Sequence, residues 1–331
     1  MSDRADSEER ESSGARADDT VAHTGGDEVV IAARRVSYAY DEVVGLNDVS
    51  VDIGPGVTGL LGPNGAGKST FLKVLSGQLP PDTGAVSIGG EPVWNHPETF
   101  RRIGLVPEHD AFYDEMTGRE FVTYLTRLQG FDSDAAAEMA GNALGRVGLA
   151  DDADRPIAGY SKGMRQRVKL AQALAHAPDV LFLDEPLNGT DPVGRRKVID
   201  LVRRFGEEGK TVVVSSHVLE EVEEMTSDIL LIDKGRILAD GNIYRLREMI
   251  DQHPHRISVR CDRPRPFAAR LIELEHVVEL DFGDDGFELS TERPDDCYSQ
   301  IVSLAVDEGI ELRSMTSPDN DLSAVFRYLV E

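Results

Sequence analysis

Cysteine is nearly absent from this 331-residue chain. Only Cys261 and Cys297 occur, without metal-ligand spacing. A thiolate metal centre is excluded, and nothing argues for a disulfide. Lysine is scarce too, seven against 28 arginines, while acids number 60 and the net charge is −25. Phosphate backbones are bound through surplus Lys and Arg, so a nucleic-acid partner is not expected. Long apolar runs are missing. Val212 to Val214 and Ile229 to Ile232 are strand-sized, far below the ~18 residues of a membrane helix. The first residues carry acids where a signal peptide would have its apolar core. The chain is therefore expected in the cytoplasm, meeting a membrane only through a partner.

The acidity is not one tail. Nine of the 60 acids lie in residues 1–28, so the folded part is acidic as well. An acid surplus with arginine favoured over lysine resembles proteins of salt-accumulating organisms. Near 1 M salt the Debye length is about 3 Å, and such self-repulsion is screened.

Residues 1–28 are Ser-, Gly-, Ala-, Asp- and Glu-rich and read as a disordered acidic tail. From Val29 alternation begins, with Ile31, Val36, Val49, Val51 and Ile53 marking strands joined by turns. Val57 to Leu61 reads as a strand, Gly62 to Gly67 as a loop, and Lys68 to Ser76 as a helix. Residues 115 to 175 carry helical spacing. Two buried strands, Val180 to Leu183 and Thr211 to Val214, flank a charged helix near Arg195 to Gly206, the pattern of a parallel sheet. Ile229 to Ile232 and Arg236 to Leu238 flank Lys234-Gly235 as a closing hairpin. Beyond Arg245 the order becomes β-α-β-β-α-β, that of a ferredoxin-like unit. Its expected last strand is Ile310 to Leu312. A final helix follows, with Leu322, Val325, Phe326 and Leu329 on one face. No catalytic constellation lies there, which points to dimer contact or regulation.

The chemistry lies earlier. Gly62-Pro63-Asn64-Gly65-Ala66-Gly67-Lys68-Ser69 matches GxxxxGK[ST], followed by Thr70. A chance match in this length is about one in a hundred. Glycines let successive N–H groups face phosphate oxygens, and the following helix adds its N-terminal dipole. Lys68 is expected on the β- and γ-phosphates, with Ser69 on Mg²⁺. Asp184 and Glu185 sit at the tip of an apolar strand. There Asp184 can hold magnesium, and Glu185 can polarise an attacking water.

Tyr160-Ser161-Lys162-Gly163-Met164, with the loop and Asp184-Glu185 in order around it, resembles the signature of ABC-type ATPases, usually LSGGQ. The resemblance covers residues 29 to 245. It implies an α/β fold: a P-loop NTPase (RecA-like) core, an antiparallel β subdomain, and a helical subdomain at about 108–178. Residues 246–331 then form the small α+β ferredoxin-like domain. It further implies ATP and Mg²⁺ as ligands and a head-to-tail dimer, either homodimer or ABC heterodimer. In that dimer Ser161, Lys162, Gly163 and Met164 close over the partner's ATP. Tyr40 takes the position of the adenine-stacking aromatic, with Tyr38 as its rival. His217 matches the switch histidine, Asp191 the D-loop aspartate, and Glu108 the metal-contacting Q-loop position.

Three departures are informative. Glu108 replaces glutamine, the signature reads Tyr-Ser-Lys-Gly-Met, and Asn188 and Thr190 stand where Ser and Leu are usual. The first two are similar to the branch of ATPases paired with type-2 export permeases. That implies an integral membrane permease as partner, with Phe112 and Tyr113 as candidate contacts or as packing within the helical subdomain. It places the protein on the inner face of the cell membrane. The competing expectation is an ABC ATPase serving a non-transport partner such as the ribosome.

Overall fold

The computed structural model describes residues 30–243, 254–283 and 286–316. The expected tail at 1–28, the boundary near Arg245 and the apolar face at Leu322 to Leu329 lie outside the described residues. In chain order the first elements are β1 (Ile31–Tyr40), β2 (Val43–Ile53), β3 (Gly56–Leu61), α1 (Lys68–Leu75), β4 (Thr83–Ile88), β5 (Glu91–Pro92), α2 (Pro97–Phe100) and β6 (Ile103–Val106). Then come α3 (Gly118–Leu128), α4 (Ser133–Arg146), α5 (Lys162–Leu174), β7 (Val180–Leu183), α6 (Pro192–Glu207), β8 (Thr211–Ser216), α7 (Leu219–Glu223), β9 (Asp228–Asp233) and β10 (Arg236–Asn242). The last are β11 (His255–Cys261), α8 (Pro264–Leu271), β12 (Val277–Phe282), β13 (Gly286–Thr291), α9 (Pro294–Asp307) and β14 (Leu312–Thr316).

Three sheets result. The central one has the order β10-β9-β3-β8-β7-β6, with β9, β3, β8, β7 and β6 parallel and β10 antiparallel at one edge. Its middle strands are covered on both faces, so every residue of β7 and β8 is buried: β7 and the centre of β8 are apolar, and the polar Thr211, Ser215 and Ser216 stand at the ends of β8. The second sheet, β2-β1-β4-β5, is antiparallel and closes over α1, burying Ile31, Val36 and Leu46 with Phe71 and Leu72. The helices α3, α4 and α5 pack on the other side of β6 and β7 around Val122, Leu144 and Val168. Thr117 begins α3 with a capping box: its hydroxyl accepts from the Glu120 N–H while the Glu120 carboxylate accepts from the Thr117 N–H.

The third sheet is antiparallel in the order β12-β13-β11-β14, the ferredoxin-like order, and carries its own apolar cluster around Ile257, Phe267, Leu289 and Ile301. One expectation shifts here. Ile310 ends a helix rather than beginning a strand. Gly309 is left-handed, and the Ile310 N–H donates to the Ala305 carbonyl at 2.8 Å. The buried Ile310 side chain supplies the apolar contact of that helix stop. The strand therefore starts at Leu312.

Candidate nucleotide-hydrolysis site

The loop between β3 and α1 is shaped by what surrounds it. Gly67 has φ +108, and a Cβ there would stand 2.7 Å from the Gly45 carbonyl oxygen and 3.3 Å from Gly235 Cα. Only glycine meets both demands. The turn between β9 and β10 braces the loop: the Gly235 N–H donates to the Ala66 carbonyl at 2.8 Å, and the Gly235 carbonyl accepts from Asn47 N–H. Helix α1 then starts with its free N–H groups toward the loop and no side-chain cap. Lys68, 6% exposed, donates from Nζ to the Gly62 carbonyl at 2.8 Å and the Pro63 carbonyl at 3.2 Å.

The tip of β7 meets the tip of β8 at this loop. Lys68 Nζ lies 3.4 Å from Glu185 Oε1, and His217 Nδ1 lies 3.0 Å from Glu185 Oε2. Glu185 is buried and left-handed, with φ +46, an uncommon conformation for a side chain of this size. It is held by Ser215, whose Oγ accepts the Glu185 N–H at 2.9 Å and donates to Asp184 Oδ1 at 2.7 Å. The four expected residues Lys68, Asp184, Glu185 and His217 thus form one connected cluster. Chemically it offers a cation for phosphate, a carboxylate set for water, and a histidine that can hold that carboxylate's orientation.

Magnesium fits this donor set. Ser69, Asp184 and Glu108 are all hard oxygen donors, and Asp184 is the one seated beside the Lys68–Glu185–His217 cluster, with one oxygen fixed by Ser215. No group of three or more His, Cys, Asp or Glu forms a cage among the described residues. The Glu108 carboxylate lies 3.6 Å from His109 Nδ1.

The remaining expected residues separate into two places. Tyr40 is 41% exposed beside the loop, near Gly45 and Thr70, with its ring edge-on to Tyr38 at 4.8 Å. Tyr38 packs against the apolar cluster under β1. Of the pair, Tyr40 has the free face. Ser161 caps α5 by accepting the Met164 N–H, and Ser161 and Lys162 are exposed. Gly163 is buried against Gly194 of α6, and the Lys162 ammonium reaches over Gly189. Asp191 caps α6, accepting the Gly194 N–H at 2.7 Å. Signature and D-loop segments therefore touch each other. No hydrogen bond or ion pair among the described residues joins Ser161 to Met164 with Lys68 or Glu185. Phe112 and Tyr113 also divide: Phe112 stacks on Phe121 at 5.1 Å under Arg165, whereas Tyr113 is 58% exposed beside Tyr124.

Sequence reasoning missed Ser215, Gly45 and Gly235. A serine at a strand end, a glycine within β2 and a turn glycine carry no motif; their work is defined by neighbours far along the chain.

Comparison with known proteins agrees with the geometry. Residues 46–188 match the family model described as ABC transporter. The chain is 35% identical over 273 residues to the daunorubicin/doxorubicin resistance ATP-binding protein DrrA of Streptomyces peucetius, covering 82% of each. It is 37% identical to the Nod factor export ATP-binding protein I of Burkholderia orbicola, covering 65% of this chain and 71% of that one. It is 35% identical to the linearmycin resistance ATP-binding protein LnrL of Bacillus subtilis, covering 64% and 69%. Among solved structures, the ADP conformation of the ATP-binding cassette MJ1267 aligns with TM-score 0.60 at 23% identity, covering 65% of this chain and 92% of that one. The dimeric cassette MJ0796 aligns with TM-score 0.59 at 24% identity, covering 64% and 98%. These two likenesses concern the fold.

Proposed function

The chain belongs to the ABC transporter family of ATP-binding proteins, and we propose that it is the energy-coupling ATPase of an exporter, working as a head-to-tail dimer on a separate membrane permease. The observation that carries this reading is the Lys68–Glu185–His217 cluster with Asp184 beside it. The resistance and export relatives support the exporter assignment.

The residues divide the work as follows. The Gly62 to Thr70 loop binds the phosphates through its N–H groups, and Tyr40 stacks on the adenine. ATP phosphates compete for the Lys68 ammonium with the loop carbonyls and Glu185. Glu185, released on that side and held on the other by His217, accepts the proton of the attacking water. Ser69, Asp184 and Glu108 would hold Mg²⁺, which neutralises charge on the β- and γ-phosphate oxygens. Ser161 to Met164 faces the ATP of a second copy or a paired ATPase.

The permease contact is assigned to the exposed Tyr113, Tyr124 and Leu128, rimmed by the exposed acid Glu115, with Asp110 and Asp114 nearby already paired to Lys169 and Arg165. Cytoplasmic loops of membrane proteins carry surplus Lys and Arg, which suits such a rim. No helix among the described residues is long and apolar enough to cross a membrane. We propose that the protein sits on the inner membrane face through that permease. The β11 to β14 unit, with its own core, is given a dimer-contact or regulatory role. The test is Glu185→Gln. It should bind ATP normally, turn over at least a hundredfold more slowly, in line with the ~10²–10⁴ of general-base catalysis, and accumulate as a dimer by light scattering. Near-normal turnover would remove Glu185 from its role.

A further inference from the structure

Helix α5 begins at the signature segment and runs along β6, the outermost strand of the central sheet on that side. An outer strand leaves carbonyls without a sheet partner. Three α5 side chains, Arg165, Lys169 and Gln172, spaced four and three residues apart and so on one helical face, and His176 just past the helix end, meet this edge and the loop after it. His176 Nε2 lies 2.9 Å from the Ile103 carbonyl, and Gln172 Nε2 donates to the Leu105 carbonyl at 2.7 Å. Arg165 pairs with Asp114 at 2.9 Å. Between them, Lys169 Nζ stands 3.0 Å from the Pro107 carbonyl, 3.0 Å from the Glu108 carbonyl and 3.0 Å from Asp110 Oδ1. Those three partners use all three donors of the ammonium. The side chain is 6% exposed, so its water has been replaced by this loop. A buried cation with every donor committed fixes the backbone it binds.

We propose that Lys169 is a positioning residue for hydrolysis, a pin that joins the Glu108 segment to the helix whose first turn is the signature. The proposal rests on the ATPase reading above. Glu108 belongs to this chain's own nucleotide site, and Ser161 to Met164 serves the other one. Through Lys169 the two segments move as one body, so the loading of one site sets the helix that completes the second. Nucleotide capture rests on the Gly62 to Thr70 loop, which Lys169 does not touch. Loss of the pin should therefore spare binding and slow turnover.

The test uses the full chain with Lys169→Met, which keeps length and removes the donors. Its companion is Gln172→Met, which removes a bond from the same helix to β6 but not to the loop. Both should lower the melting temperature. Binding of a fluorescent ATP analogue should stay within twofold of wild type in both. Turnover should fall at least tenfold in Lys169→Met and stay within twofold in Gln172→Met. Asp110→Asn, which removes the charge of one of the three partners, should slow turnover severalfold alone and add no further loss in the Lys169→Met background. Full turnover by Lys169→Met, or equal slowing by Gln172→Met, would overturn the pin. If Lys169→Met does not fold, Asp110→Asn decides alone: unchanged turnover overturns the proposal. Absence of ATP binding by the wild-type chain, measured first, would instead strike the ATPase reading itself.

Discussion

Ser215→Ala is the most informative single change. Ser215 is fully buried at the end of β8 and serves two groups on the neighbouring strand, donating to Asp184 Oδ1 and accepting from the Glu185 N–H. Alanine removes both bonds and offers nothing in return. A hydrogen bond to a charged group contributes about 1.5–3 kcal/mol, and a buried N–H left unpaired costs about 1–3 kcal/mol. With partial relaxation the sum is about 3 kcal/mol, large for one substitution. The same change frees the Asp184 carboxylate to rotate and loosens the left-handed Glu185. Ser216→Ala is the control. Ser216 is equally buried and equally bonded, donating to Glu221 Oε2 at 2.9 Å and accepting the Val218 N–H at 3.0 Å. The two variants should lose similar stability in urea unfolding. Only Ser215→Ala should raise the magnesium concentration needed for half-maximal ATPase rate, by about tenfold if ~1.4 kcal/mol of metal binding is lost. If both variants keep the wild-type magnesium requirement, Ser215 does not position the metal carboxylate and the reasoning fails.

Other outcomes follow from the same structure. Tyr40→Ala should raise KM for ATP about twofold to twelvefold, since an aromatic stack contributes about 0.5–1.5 kcal/mol; Tyr40→Phe should stay near wild type, and an effect confined to Tyr38→Ala would reverse the assignment. Burial pushes the His176 imidazole below the usual histidine value, and its buried Nδ1 has no hydrogen-bond partner among the described residues. The folded chain resists a proton that the unfolded chain accepts, so this contribution is present at neutral pH and lost as pH falls through about 6.5. Melting temperature against pH should therefore drop less steeply below that point in His176→Gln, and an unchanged slope would contradict the argument. The acid surplus predicts a melting temperature that climbs from low salt toward molar salt; a flat curve would dismiss salt adaptation.

Much of the site could be read from the chain because its chemistry is packed into short segments. Gly62 to Thr70 carries the phosphate-cradle residues in one short run, and Val180 to Leu183 must be buried and so delivers Asp184-Glu185 at a tip. Local periodicity also sufficed for the parallel sheet and for the β-α-β-β-α-β order after Arg245. Tertiary structure decided what depends on two segments meeting. The parallel register that pairs Leu183 with Val214 sets Ser215 beside Asp184. The approach of Gly45, Gly67 and Gly235 braces the loop from three distant places. The placement of β6 at the sheet edge turns Lys169, otherwise an ordinary helical lysine, into the holder of the Glu108 segment. Sequence fixes which groups are available, because composition and spacing are local. Partnership across strands and helices depends on register and packing, which no single segment contains.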